Sequence, residues 1–318
     1  MKISEIKEKI LNNQNITREE ALELNNIKNK EELYKLANEI REHFNGNDFD
    51  TCSIINAKSG KCSEDCKWCS QSVFHKTNAD IYPLIDTEKI IDNASYNAKK
   101  GIRKVSLVTS GKRISGDDAI QIYEIYKTLK KKVNIGLCAS MGLVEKSVLQ
   151  ELKNSGVDNY HCNIETSPKI FKTLCTTHSF DEKIETLKNA RAVGMNICSG
   201  GIIGMGETFE DRVDMALTLR DLGVTSIPLN ILNPIKGTKL ENTKPLSDEE
   251  VLTTFAMFRL VNPKARIRFA GGRLQIEHIQ RKALLGGVNA ALMGDLLTTV
   301  GSKIDEDKKM IEELGYKM

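Results

Sequence analysis

The 318-residue chain is poor in several features that would narrow its function quickly. Its net charge is only +3 with 28% charged residues. That describes an ordinary surface, without the basic excess that a nucleic-acid or anionic-membrane partner favours. No apolar run approaches the length of a membrane span. The opening segment, Met1 to Ile10, alternates charged and apolar residues and has no apolar stretch of the kind that marks a secretion signal. A cytoplasmic protein that engages neither membrane nor nucleic acid is expected. With six prolines in all, the chain has no Pro/Gly-rich linker, low-complexity tract or sequence repeat, so nothing argues for two independent domains.

What the chain does have is cysteine. In a large chain without an export signal, eight cysteines are read as reduced thiols, metal ligands or core residues rather than disulfides. Three of them, Cys62, Cys66 and Cys69, stand in the run Lys61-Cys-Ser-Glu-Asp-Cys-Lys-Trp-Cys-Ser70, separated by polar residues that exclude a shared core role. Thiolates at C-x-x-x-C-x-x-C spacing can hold three irons of a 4Fe-4S cluster and leave the fourth open for chemistry. A structural zinc site is the competing reading, in which the protein would be a metal-stapled scaffold or binding module. Such sites want four ligands in two groups, and neither a second cysteine pair nor an H-x-x-x-H follows here.

Residues 1–50 read as a polar, helical N-terminal extension, with a capping box at Thr17-Arg-Glu-Glu20 and a second amphipathic run opening at Asn29. From there to residue 318, short apolar or β-branched runs alternate with helical segments. The strands are expected at Cys52–Ala57, Lys104–Thr109, Asn134–Ala139, Asn159–Ile164, Asn196–Gly200, Ser226–Leu232, Arg266–Ala270 and Asn289–Met293. Eight sequential βα units close most naturally into an α/β fold of (β/α)8 TIM-barrel type, with reactive groups at the C-terminal ends of the strands. Cys138, Asn163, Cys198, Asn230 and Arg268 are all expected late in their strands, facing the mouth beside which the cysteine triplet lies.

Taken together, the segments Gly60 to Gln71, Asn163-Ile-Glu-Thr-Ser-Pro168, Cys198 to Thr208 and Leu296-Leu-Thr-Thr299 closely resemble the biotin synthase family of radical S-adenosylmethionine (SAM) enzymes. The resemblance implies a 4Fe-4S cluster on Cys62, Cys66 and Cys69, with SAM chelating its open iron. It also implies a 5'-deoxyadenosyl radical that abstracts hydrogen from dethiobiotin, and an auxiliary iron-sulfur cluster, 2Fe-2S or a larger type, that yields the inserted sulfur. Cys138, Cys198 and Arg268 match three of the four positions that hold this auxiliary cluster. At the fourth, where the family's best-known members carry cysteine, the chain has Ser106, a hard and weaker ligand for iron.

Cys162 is a candidate replacement, although strand alternation turns it toward the helices. Cys52 and Cys175 match no ligand position and are read as structural. Asn163 and Glu165, two apart, resemble the residues that hold the SAM ribose and the substrate. Trp68 replaces a tyrosine beside the cluster, Lys183 stands for an arginine that pairs with the SAM carboxylate, and Ile202 lies in the glycine run Gly200 to Gly206, assigned to close backbone approach near SAM. Asn230 would bond the ureido ring of dethiobiotin, and Thr298 and Thr299 would receive its carboxylate. Each has a plain alternative: strand-end caps for Asn, helix caps for Thr, packing for Trp and an exposed helix face for Lys. The resemblance further implies a homodimer and a flavodoxin- or ferredoxin-type electron donor. A sister radical SAM enzyme of the hydrogenase-maturation or methylornithine-forming type is the other enzyme reading, which Ser106 keeps open.

Overall fold

The computed structural model describes residues 3–294 and 303–318. Nine strands form one parallel sheet: β1 (Asp50–Lys58), β2 (Lys104–Thr109), β3 (Gly136–Ser140), β4 (Asn159–His161), β5 (Asn196–Cys198), β6 (Gly201–Ile203), β7 (Ser226–Ile231), β8 (Arg266–Phe269) and β9 (Ala290–Leu292). The ladder runs from β1 through β5 on one side and from β9 back through β7 on the other, and the pairs Asp50↔Ala290 and Cys198↔Ser226 close it. The result is an eight-position parallel barrel.

The ninth strand arises because the fifth position is broken. The sequence reading expects one strand there, but β5 stops at Cys198 and β6 resumes at Gly201. Close backbone approach dictates this: a Cβ on Gly200 would lie 1.9 Å from the Pro228 carbonyl oxygen, and one on Gly201 would lie 2.3 Å from that of Glu165. Only glycine fits at both places.

Alternation along the strands sorts the side chains. Val105, Leu107, Leu137, Tyr160, Ile227 and Ile267 point outward and are fully buried against the helices, so the main core lies between sheet and helical ring. The inward positions are largely polar and sulfur-bearing: Lys104 and Ser106 on β2, Cys138 and Ser140 on β3, Asn159 and His161 on β4. Barrel interiors are ordinarily packed solid with branched apolar side chains. This one instead encloses a cavity of about 340 Å³.

The helices begin where capping chemistry expects them. Ser247 accepts from the Glu250 N–H while Glu250 returns a bond to Ser247, opening the helix Asp248–Val261, and Thr208 and Ser179 do the same for Phe209–Asp221 and Phe180–Ala192. In the N-terminal segment, α1 (Ile3–Leu11), α2 (Arg18–Glu23) and α3 (Lys30–Asn45) pack on the outer ring. Arg18 pairs with Asp214 at 2.7 Å and the Tyr34 hydroxyl lies 3.3 Å from that of Thr253. The C-terminal segment returns beneath β1, where Phe49 N–H donates to Lys317 at 2.8 Å and buried Tyr316 donates to the carbonyls of Leu284 and Val288. No helix among the described residues is long and apolar enough to cross a membrane.

Candidate active site

The cysteine triplet sits in the loop after β1, at the C-terminal mouth of the barrel. The loop leaves the strand through Gly60 at φ +76°, where a Cβ would meet Ile81 at 2.7 Å, and through Lys61 at φ +50°. The Gln71 side chain then closes it by accepting from Gly60 N–H at 2.9 Å and the Ser59 hydroxyl at 3.1 Å, while Cys62 N–H donates to the Gln71 carbonyl at 3.0 Å. Asp65 anchors the far side by accepting from the backbone of Thr176 and Thr177 at 2.8 and 3.2 Å. Burial alone would raise the Asp65 carboxyl, but the Thr176 hydrogen bonds outweigh it and hold the group well below the usual carboxylate range.

A second group gathers behind the loop. The Cys66 thiol lies 3.7 Å from that of Cys175, and His178 Nδ1 lies 3.3 Å from Cys175 and 2.6 Å from Glu64. Cys66, Cys175 and His178 are the one set among the described residues whose ligand atoms all fall within 4.8 Å of one another. Three ligands fall short of a closed structural zinc site.

Below the loop, Trp68, Cys69, Ile202, Asn163, Glu165 and Asn230 all line the cavity. Asn163 accepts from Gly200 N–H at 3.0 Å. Glu165 is held at φ +72°, an uncommon conformation for a side-chain-bearing residue. One of its oxygens is 3.9 Å from Lys183 Nζ and the other, Oε2, is buried with no partner in the structure. A buried carboxylate oxygen left unpaired is costly, and a ligand hydroxyl or ammonium in the cavity would satisfy it. Lys183 is buried rather than on an exposed helix face, with Nζ 5.7 Å from the centre of the Phe171 ring. Asn230 donates to the Gly201 carbonyl at 3.0 Å and accepts from Gly271 N–H at 2.8 Å, which leaves one N–H and one lone pair for a ligand. Thr298 and Thr299 lie outside the described residues.

The floor of the cavity is a sulfur and cation layer. Cys138 and Arg268 stand mid-strand rather than at strand ends, and Cys198 precedes the break in the fifth position, so these three lie deeper than Asn163 and Asn230. Arg268 is 3% exposed, forms an ion pair with Asp50, and donates to the Ala291 carbonyl at 2.9 Å. Lys104 reaches the same carboxylate at 3.0 Å. Burial pushes the Asp50 carboxyl up, but Arg268 and Lys104 together bring it below its ordinary value. Two cations facing one anion leave the floor net positive, and Arg268 works against the burial that pushes the Cys198 thiol up.

Two further residues face this layer. Cys52 on β1 lines the cavity together with Cys138. His161 also lines it, with Nδ1 3.5 Å from Cys198 Sγ, and burial holds its imidazole below the ordinary pKa. The sequence reading gives Cys52 a structural role and does not single out His161, yet both share inward parity, with Ile54 and with Asn163. Cys162 packs in the apolar layer between sheet and helices, and neither it nor Cys175 lines the cavity.

Comparison with known proteins decides the affiliation. Residues 57–219 match the radical SAM superfamily model, and residues 228–317 match the biotin and thiamin synthesis associated domain. A biotin synthase of Parabacteroides distasonis is 54% identical over 100% of this chain and 98% of its own length, and one from Clostridium perfringens is 49% identical over 99% of each. The chain belongs to the biotin synthase family. It is thereby a radical SAM enzyme by descent, and that superfamily implies a 4Fe-4S cluster and SAM. Among solved structures, methylornithine synthase superposes with a TM-score of 0.83 at 19% identity, covering 98% of this chain and 96% of that one. An FeFe-hydrogenase maturase of Carboxydothermus hydrogenoformans gives 0.84 at 16%, covering 99% and 78%. Those two likenesses establish the barrel alone. The match that names an activity comes from the biotin synthase relatives.

The residues present fit the groups the family implies. The triplet offers three thiols on a loop braced from both sides, Glu165 lines the same cavity, and a separate set of soft donors lies on the positive floor.

Proposed function

We propose that this protein converts dethiobiotin to biotin by inserting sulfur between two unactivated carbons, consuming two SAM molecules per product. The observation that carries the proposal is the presence of two separate thiol groups facing one cavity: Cys69 of the triplet at the mouth, and Cys138 with Cys198 on the floor. A cluster bound at the triplet together with SAM supplies the one chemistry acid-base side chains cannot, hydrogen abstraction from an unactivated C–H bond.

The chain's own residues do the rest. Cys62, Cys66 and Cys69 hold the 4Fe-4S cluster. Glu165 and Asn163 orient the SAM ribose, Lys183 neutralises the SAM carboxylate, Trp68 and Ile202 shield the adenine from water, and the Gly200 to Gly206 run allows close approach. Asn230 directs its free N–H and lone pair to the ureido ring, with Thr298 and Thr299 at the substrate carboxylate. Cys138, Cys198 and Arg268 hold the auxiliary cluster that gives up sulfur. Between the two thiol groups dethiobiotin would lie with its reacting carbons facing SAM on one side and sulfur on the other, an arrangement that limits side reactions by proximity. By family likeness, a homodimer in the cytoplasm, reduced by a flavodoxin- or ferredoxin-type donor, completes the reading, and residues 51–318 act as one barrel unit behind the 1–50 extension.

Anaerobically reconstituted protein given dethiobiotin, SAM and reduced flavodoxin tests the proposal. Biotin and 5'-deoxyadenosine should appear together. SAM cleavage with no biotin formed would sink it in favour of a sister radical SAM activity.

A further inference from the structure

Ser106 leaves the floor one soft donor short, and the structure supplies another from the neighbouring strand. Resting on the sulfur-inserting reading above, we propose that Cys52 is the third thiolate ligand of the auxiliary cluster, acting with Cys138, Cys198 and Arg268 in place of a thiol at Ser106.

Strand register makes the substitution geometrically reasonable. β2 lies between β1 and β3, with Cys52 opposite Lys104 and Ser106 opposite Cys138. Cys52 and Cys138 therefore flank β2 from either side, offset by a single inward-facing step along it. Both side chains line the same cavity, so moving the donor from the middle strand to its neighbour keeps it on the same floor.

Burial and charge agree. Cys52 is 7% exposed at the protein surface, yet it borders the cavity rather than the apolar layer behind the sheet. It shares the cavity floor with Arg268 and Lys104, whose excess positive charge offsets that of bound thiolates and sulfide. Ser106 Oγ is buried against the same space with no hydrogen-bond partner, a small group that leaves room for a cluster without supplying a good ligand.

Elimination points the same way. Outside the triplet, Cys52, Cys138 and Cys198 line the cavity, whereas Cys162 and Cys175 do not. Among the described residues the three floor thiols do not gather within 4.8 Å of one another, so they do not converge on a single ion. Loading is a ligand exchange: each thiol gives up its proton to solvent as its sulfur bonds iron, and iron added as Fe3+ with sulfide gives the oxidised 2Fe-2S state with no further redox change.

The test uses the full chain carrying Cys62→Ala, Cys66→Ala and Cys69→Ala, reconstituted anaerobically with 57Fe and sulfide, and reads iron, acid-labile sulfide and Mössbauer parameters. This parent should retain a cluster; a parent with none overturns the sulfur-inserting reading itself, and the Cys52 assignment with it. Adding Cys52→Ala should lower the retained iron and sulfide by about tenfold or more, and adding Ser106→Cys to that variant should restore them. Adding Cys162→Ala should leave both unchanged. Should Cys52→Ala not fold, as judged by circular dichroism, Cys52→Ser keeps the volume and should shift the Mössbauer parameters through an oxygen ligand. A parent-like cluster in the Cys52 variants, or loss in Cys162→Ala alone, overturns the assignment.

Discussion

Asp50→Asn is the sharpest perturbation of the cavity floor. Asp50 is 4% exposed and its carboxylate pairs with both Arg268 and Lys104. Replacing it with a neutral amide of the same shape leaves the Arg268 guanidinium buried without its counter-charge. Breaking a buried pair from one side typically costs about 3–5 kcal/mol. The lower part of that range applies because Arg268 borders a cavity and keeps its bonds to the Ala291 and Asp50 carbonyls. At about 2–4 °C per kcal/mol in chains of comparable length, the melting temperature should fall by roughly 6–12 °C.

Anaerobic thermal unfolding followed by far-ultraviolet circular dichroism reads the change directly. The double variant Asp50→Asn/Arg268→Met, which removes both charges, should recover much of the loss. The same pair sets a pH dependence. Asp50 titrates below its ordinary value in the folded chain, so its stabilisation is fully present above the unfolded carboxyl pKa of about 3.9 and is lost as pH falls through the lower folded value. A melting temperature for Asp50→Asn within about 1 °C of wild type, in place of the expected fall, would refute the view that the floor is held by this pair.

Other outcomes follow from the same geometry. Glu165→Ala should weaken SAM binding by about 10- to 150-fold, the worth of a hydrogen bond to a charged group, with little effect on folding; equilibrium dialysis against labelled SAM checks it. Gly200→Ala puts a Cβ 1.9 Å from the Pro228 carbonyl oxygen and should abolish soluble expression or cost several kcal/mol, about 4 or more, in urea unfolding. Ser247→Ala removes the cap of Asp248–Val261 and should cost about 1 kcal/mol by the same assay, with biotin formation intact.

Much of this was legible in the residues. The capping box at Thr17 is local chemistry and stands where the sequence puts it. The strands at β1, β2, β7 and β8 announce themselves as apolar runs between helical segments, because a barrel strand is buried on its outer face whatever lies inside. The break between β5 and β6 was not legible, since it is imposed by the backbones of Pro228 and Glu165, far away in sequence. Nor was the burial of Lys183, because a charged residue on a helix looks exposed until its partners Glu165 and Phe171 are placed. Cys52 and His161 are a different case: alternation alone turns both inward, whereas the family's ligand positions point to neither.

The most direct measurement is the isotopic origin of the product sulfur. Protein whose clusters have been built with 34S sulfide, washed free of excess and given dethiobiotin, SAM and reductant for a single turnover, should yield biotin enriched in 34S by mass spectrometry. Biotin carrying only unlabelled sulfur, or deoxyadenosine released with no biotin at all, would contradict sulfur insertion from a cluster resident on the barrel floor.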